Sequence, residues 1–153
     1  MSISTDLVTS TPYRERAAWL ALVAMGLPFS AYFGWTIADP PAAPMPDWTT
    51  FSRFGAALAA QIAIWSIGAW WLRKRHPEDA AAPLDERDRA ISRRSIQTGY
   101  GILFAATCIN IGCVFPFTAG GWKLINSGLA SIVVAEVVRN AMVIWLYRRG
   151  FHG

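Results

Sequence analysis

Residues 95–117 read SIQTGYGILFAATCINIGCVFPF, and residues 122–147 read WKLINSGLASIVVAEVVRNAMVIWLY. The first stretch contains no Asp, Glu, Lys or Arg, and the second contains only Lys123, Glu136 and Arg139. A bilayer core about 30 Å thick is crossed by about 20 apolar residues in a helix, so each stretch is long enough to span. Only residues 118–121, Thr-Ala-Gly-Gly, separate them. A link that short predicts a tight turn and an antiparallel helical hairpin. Working toward the N-terminus, residues 54–72 and 17–37 meet the same length test. The predicted fold is all-α: a polytopic integral membrane protein with four transmembrane helices at 17–37, 54–72, 95–117 and 122–147.

Composition agrees. Of 153 residues, 54% are apolar and 16% charged, against about 25% charged in a usual soluble domain. Disordered, collagenous and disulfide-scaffold classes are excluded. The net charge of +4 does not point to nucleic acid, because the basic residues cluster at the ends of apolar runs, where they act as orientation signals. The first run follows Arg14 and Arg16 as a secretory signal would. It is longer than the roughly 7–15-residue core of such a signal, so an uncleaved span is expected.

Loop charge predicts the topology. Arg14 and Arg16 precede the first span; Arg73, Lys74, Arg75, Arg87, Arg89, Arg93 and Arg94 lie between the second and third; Arg148 and Arg149 follow the fourth. Only Arg53 and Lys123 lie toward the opposite end of the spans. Lys and Arg favour the cytoplasmic side, so the expectation is N-in and C-in. The tail 1–16, the loop 73–94 and the tail 148–153 are then cytoplasmic, while the proline-rich loop 38–53 and the turn 118–121 are outside. Trp35, Trp48 and Trp122 mark the outer interface. Trp19, Trp70, Trp71, Trp145 and Tyr147 mark the inner one, as aromatic belts do.

Within the spans, Gly26 and Pro28 predict a kink, read as packing geometry ahead of a gate. Gly55, Ala59 and Ala63 recur every four residues, a spacing that permits close helix approach, in the bundle or in a dimer. After Pro77 and Pro83, Asp85 is a natural N-cap, and Asp85 with Arg89 offers an i,i+4 pair. One helix of about 30 residues, roughly 45 Å long, is expected to run from there through the third span, leaving a cytoplasmic stalk. Asp85, Glu86, Arg87, Arg89 and Arg93 form a candidate dock for a cytoplasmic protein. The competing reading is a solvated helix end touching anionic lipid headgroups.

The run Asp85-Glu86-Arg87, then Ile91, Ser95 and Gly99-Tyr100, resembles the D-E-R-x-x-x-I signature of an uncharacterised family of small bacterial and archaeal membrane proteins. The resemblance covers about 16 residues, many of them also explained by capping and helical spacing. Such families are often encoded beside small helix-turn-helix repressors, which implies a role in modulating a regulator. The resemblance supplies no catalytic residue.

Charges inside a span usually face protein or water. Glu136 and Arg139 share a helix face and can pair, with Asn140 near the same stripe, Gln61 and Thr107 at comparable depth, and Asn110 beyond Thr107 on a nearby face of the third span. These six residues form a candidate midplane cluster for a cation, a proton or a small polar ligand, or alternatively interhelical glue. Cys108 and Cys113 fit no metal spacing and read as buried small hydrophobes. His76 and His152 lie in the predicted cytoplasmic segments. No nucleophile, phosphate-binding or dinucleotide motif occurs, so no metal, cofactor or enzymatic activity is expected. The leading function is non-enzymatic, acting through partners: modulation of a cytoplasmic regulator, or an accessory membrane subunit. The rival is a small transporter or channel built as a homodimer around Glu136.

Overall fold

The computed structural model describes residues 13–40, 48–117 and 121–149. The first twelve residues of the expected tail, residues 41–47 of the proline-rich loop, residues 118–120 of the turn, and residues 150–153 with His152 lie outside the described residues. Every regular element among the described residues is helical. They are α1 (Tyr13–Ala38), α2 (Trp48–Arg75), the short α3 (Pro77–Ala81), α4 (Glu86–Ile109) and α5 (Gly121–Arg148). Helix α4 continues through a π turn, Asn110–Val114, into a 3-10 turn, Phe115–Phe117. Four helices are long and apolar enough to cross a membrane, as the apolar runs predict. Each extends past its run, because a helix continues into polar flanks until a cap or proline stops it.

The π turn has a local cause. Pro116 has no N–H, and in a regular helix its ring would press on the carbonyl four residues earlier. The chain widens just before it, so that the N–H of Phe115 bonds to the carbonyl of Asn110. Pro28 does not end α1, which passes through it as one helix with Pro28 buried.

Helix α4 lies along α5, α5 along α1, and α1 along α2. The two central helices are therefore α1 and α5, and the edge helices α2 and α4 share no extended seam. This order puts large apolar side chains on the outside, among them Leu27, Ile37, Ile67, Phe104 and Ile111. In water such faces would drive aggregation; in a bilayer, lipid covers them, and backbone satisfaction within each helix is what the membrane demands.

The two ends differ in chemistry. At one end Phe29, Tyr32, Phe33 and Phe54 form an aromatic cluster with ring centroids 5.3–6.4 Å apart. Trp122 and Leu129 pack against its buried members. Arg53 pairs with Asp39 and lies 4.6 Å over the Trp35 ring. At the other, basic end, the expected belt residues each carry a cation: Lys74 over Trp70, Arg75 over Trp71, Arg148 over Trp19, Arg149 over Trp145 and Arg87 over Tyr147. Each such contact contributes about 0.5–1 kcal/mol at an exposed site.

The small-residue row of α2 faces outward: Gly55 is half-buried, and Ala59 and Ala63 are exposed. The close approach between α1 and α2 is made instead at Gly68, where a Cβ would overlap the Leu20 methyl groups. Cys108 and Cys113 are also exposed, contrary to the buried placement expected of them. On a helix with lipid around it, an outward-facing Cys needs no protein cavity to hide an apolar surface.

Candidate functional site

The seam between α4 and α5 is built by residues four apart on α4. Ile91, Ser95 and Gly99 are all buried, and they form one stripe because successive members lie one turn above each other. Three of these positions belong to the family-like signature, so the signature coincides with a packing face. At Gly99 the helices come close: a Cβ there would sit 3.1 Å from the Arg139 Cβ and 3.4 Å from the Ala135 carbonyl oxygen. The Arg139 stem lies against this bare backbone. Its guanidinium turns along α5 to Glu136, with Nη2 2.8 Å from Oε2 and the two side chains 39% and 34% exposed. A groove of about 200 Å³ runs beside the pair, lined by Ile96, Gly99, Tyr100, Leu103 and Ile132.

Asn140 is buried and its amide donates to the Glu136 carbonyl at 2.8 Å. It also lines a crevice of about 390 Å³ over α5, between Ala17, Ala18 and Ala21 of α1 and Ser92 and Ser95 of α4. Asn110 sits at a different level, donating from Nδ2 to Ser131 Oγ at 2.7 Å and to the Ser127 carbonyl at 3.4 Å. Thr107 is exposed and donates to the Leu103 carbonyl of its own helix. Gln61 is half-buried on α2, the edge helix away from α4.

The six residues therefore do not converge on one centre. Glu136, Arg139 and Asn140 form one group, Asn110 and Thr107 lie near Ser131, and Gln61 is separate. Asn110 and Ser131 act as interhelical glue, an interaction of about 0.6–2 kcal/mol in membranes. A second cross-link was not anticipated from the sequence: the Tyr32 hydroxyl donates to Asn126 Oδ1 at 2.9 Å, joining α1 to α5. Its signal was available, since beyond Lys123 the polar residues of this otherwise apolar half-helix are Asn126, Ser127 and Ser131.

The basic end is not a free stalk. Asp85 caps α4 as expected, accepting from the Asp88 N–H at 2.6 Å. Arg89, however, forms no ion pair among the described residues, and Asp88 does the joining. Its carboxylate pairs with Arg14 of α1 at 2.7 Å and accepts the hydroxyl of Tyr147 of α5. Glu15, buried, pairs with Arg148 at 3.0 Å, Arg16 donates to the His76 ring, and Arg14 reaches the Ala82 carbonyl at 3.3 Å. The first turns of α1 and α4, the last turn of α5 and the α2–α3 corner are thus clamped together. Of the candidate dock, Asp85, Glu86, Arg89 and Arg93 are exposed, whereas Arg87 is half-buried against Tyr147.

Comparison with protein-family models, with curated proteins and with solved structures gives no match.

Proposed function

We propose that this protein is a small non-enzymatic subunit of a membrane complex, working by lateral contact of its α4–α5 face with another membrane chain. The basic end lies in the cytoplasm and the membrane is a bacterial inner membrane, in keeping with the eleven basic residues at that end against two at the other and the positive-inside rule.

The observation that carries the reading is the Glu136–Arg139 pair. Glu136 lies about 18 Å from Arg148 along α5 at helical rise, well inside the apolar span, yet a third of its side chain is uncovered. A charged side chain at the bilayer centre costs about 2.5–3.5 kcal/mol on insertion scales and almost always faces protein or water. A neighbouring chain over the groove removes that exposure. A cytoplasmic regulator docked on residues 85–93 is the weaker choice, because Asp88 and Ile91 are already engaged within the chain. Ion coupling is also weaker, because Glu136 is held by Arg139, and a coupling carboxylate needs an unpaired state.

The test is position-specific photo-crosslinking in native membranes. A benzophenone side chain at Tyr100, beside the groove, is expected to capture a foreign membrane protein, and one at Ile67 on α2 is not. Capture of a second copy at Tyr100, with Glu136-dependent flux in liposomes, would replace this reading by the homodimeric transporter. No adduct at Tyr100 would overturn both.

A further inference from the structure

We propose that the cavity between the basic-end halves of α1 and α2 binds an anionic phospholipid. The lipid phosphate sits against Arg16 and Arg75, and the upper acyl chain lies along Leu20 and Leu72. This site shares no lining residue with the α4–α5 groove of the proposed lateral partner, and of α5 only Arg148 reaches its rim.

The cavity holds about 440 Å³, within the roughly 300–1,000 Å³ typical of ligand pockets. Its chemistry is graded. Its lining comprises Leu20, Gly68, Leu72, Trp19 and Trp71 together with Arg16, Arg75, His76, Arg148 and Glu15, and along α2 the order Gly68, Leu72, Arg75, His76 runs from the apolar span to the basic end. Such a gradient, apolar at depth and cationic at the interface, matches an amphiphile and is wasted on a soluble anion. Trp19 and Trp71 belong to the interfacial belt, which places the rim at headgroup level.

The charge balance at the rim selects an anion. Three arginines face one carboxylate, and that carboxylate is occupied, because Glu15 is paired with Arg148 at 3.0 Å. Arg16 donates to the His76 ring, which supplies no negative charge. Arg75 stacks 4.0 Å over the Trp71 ring, which fixes its direction without neutralising it. Neither Arg16 nor Arg75 has a carboxylate partner among the described residues. The adjoining cavity at the α3 corner, which Arg16 also lines, carries as many carboxylates as arginines, with Asp79, Asp85 and Asp88 beside Arg14, Arg16 and Arg87. Basic pockets between transmembrane helices on the cytoplasmic side are where anionic headgroups bind. A phosphatidylcholine headgroup brings its own cation and gains little from the excess.

Native mass spectrometry of the full chain in mild detergent, with equal dioleoylphosphatidylglycerol and dioleoylphosphatidylcholine, tests the assignment. The wild type is expected to retain phosphatidylglycerol preferentially. The variant Arg16→Gln/Arg75→Gln is expected to lose about tenfold of that preference, while Arg93→Gln/Arg94→Gln, with the same loss of charge, keeps it. Arg75→Gln alone, which removes only an exposed side chain, is expected to lose about threefold and serves if the double variant does not fold. Equal retention of the two lipids, or an equal loss in the Arg93/Arg94 variant, would overturn the site. Inorganic phosphate competing away the lipid at millimolar concentration would overturn the amphiphile assignment in favour of a free phosphate.

Discussion

Replacing Gly99 with Leu is expected to separate α4 from α5 and to destabilise the protein in detergent by about 3 kcal/mol, the upper end of the usual cost of overpacking. The first added atom already meets the Arg139 Cβ at 3.1 Å, and the Ala135 carbonyl at 3.4 Å is backbone and cannot swing away. The remaining atoms have only the Arg139 stem to displace, and moving it pulls the guanidinium from Glu136. Gly99→Ala falls between opposing effects: tight contact against the roughly 1 kcal/mol by which Ala exceeds Gly in helix propensity, so its net change is expected near zero. Gly101 is the control. Nothing lies within 4 Å of a Cβ there, and Gly101→Leu is expected to leave stability unchanged or raise it slightly. Reversible unfolding in mixed micelles measures all three. An unperturbed Gly99→Leu would mean that α4 and α5 do not cross at this point.

Asp88→Ala carries the second large expected effect, a loss of about 2 kcal/mol. The Asp88 carboxylate is 16% exposed and serves two helices at once, Arg14 on α1 and Tyr147 on α5. Breaking a buried pair costs about 3–5 kcal/mol, and the partial exposure of Arg14, 31%, brings the expectation below that range. A double-mutant cycle with Tyr147→Phe is expected to give a coupling of at least about 0.5 kcal/mol, as groups in one network do. Glu86→Ala and Arg89→Ala, at exposed positions of the same stretch, are expected to stay within about 0.5 kcal/mol. If all four changes were equally mild, the first turns of α4 would be a solvated stalk after all.

What could be read from the sequence follows from how local each signal is. The four spans were legible because a run of 20 apolar residues has no other common use, and the Asp85 cap because an N-cap depends on only three following residues. The packing order of the helices was not legible. Every span is apolar on all sides, so no stripe marks which neighbour it takes. That ambiguity made Gly55, Ala59 and Ala63 look like a seam while Gly68 made the contact. It also gathered Gln61 into a cluster whose other members lie on α4 and α5. Glu136 and Arg139 stood out because charge in a span is rare and their three-residue spacing allows only a local pair. The clamp at the basic end was missed for the opposite reason: Arg14, Asp88 and Tyr147 are ordinary interfacial residues until the ends of three helices meet.

We propose that the four long apolar helices cross the bilayer and gather their basic ends on one side, in the cytoplasm. Single cysteines placed by Asp39→Cys and Asp85→Cys, in a background with Cys108 and Cys113 replaced by Ala, test it by labelling with a membrane-impermeant maleimide. Asp85→Cys is expected to react in inside-out vesicles and not in intact spheroplasts, and Asp39→Cys to do the reverse. Reaction of both from the same face of a sealed membrane would contradict the account.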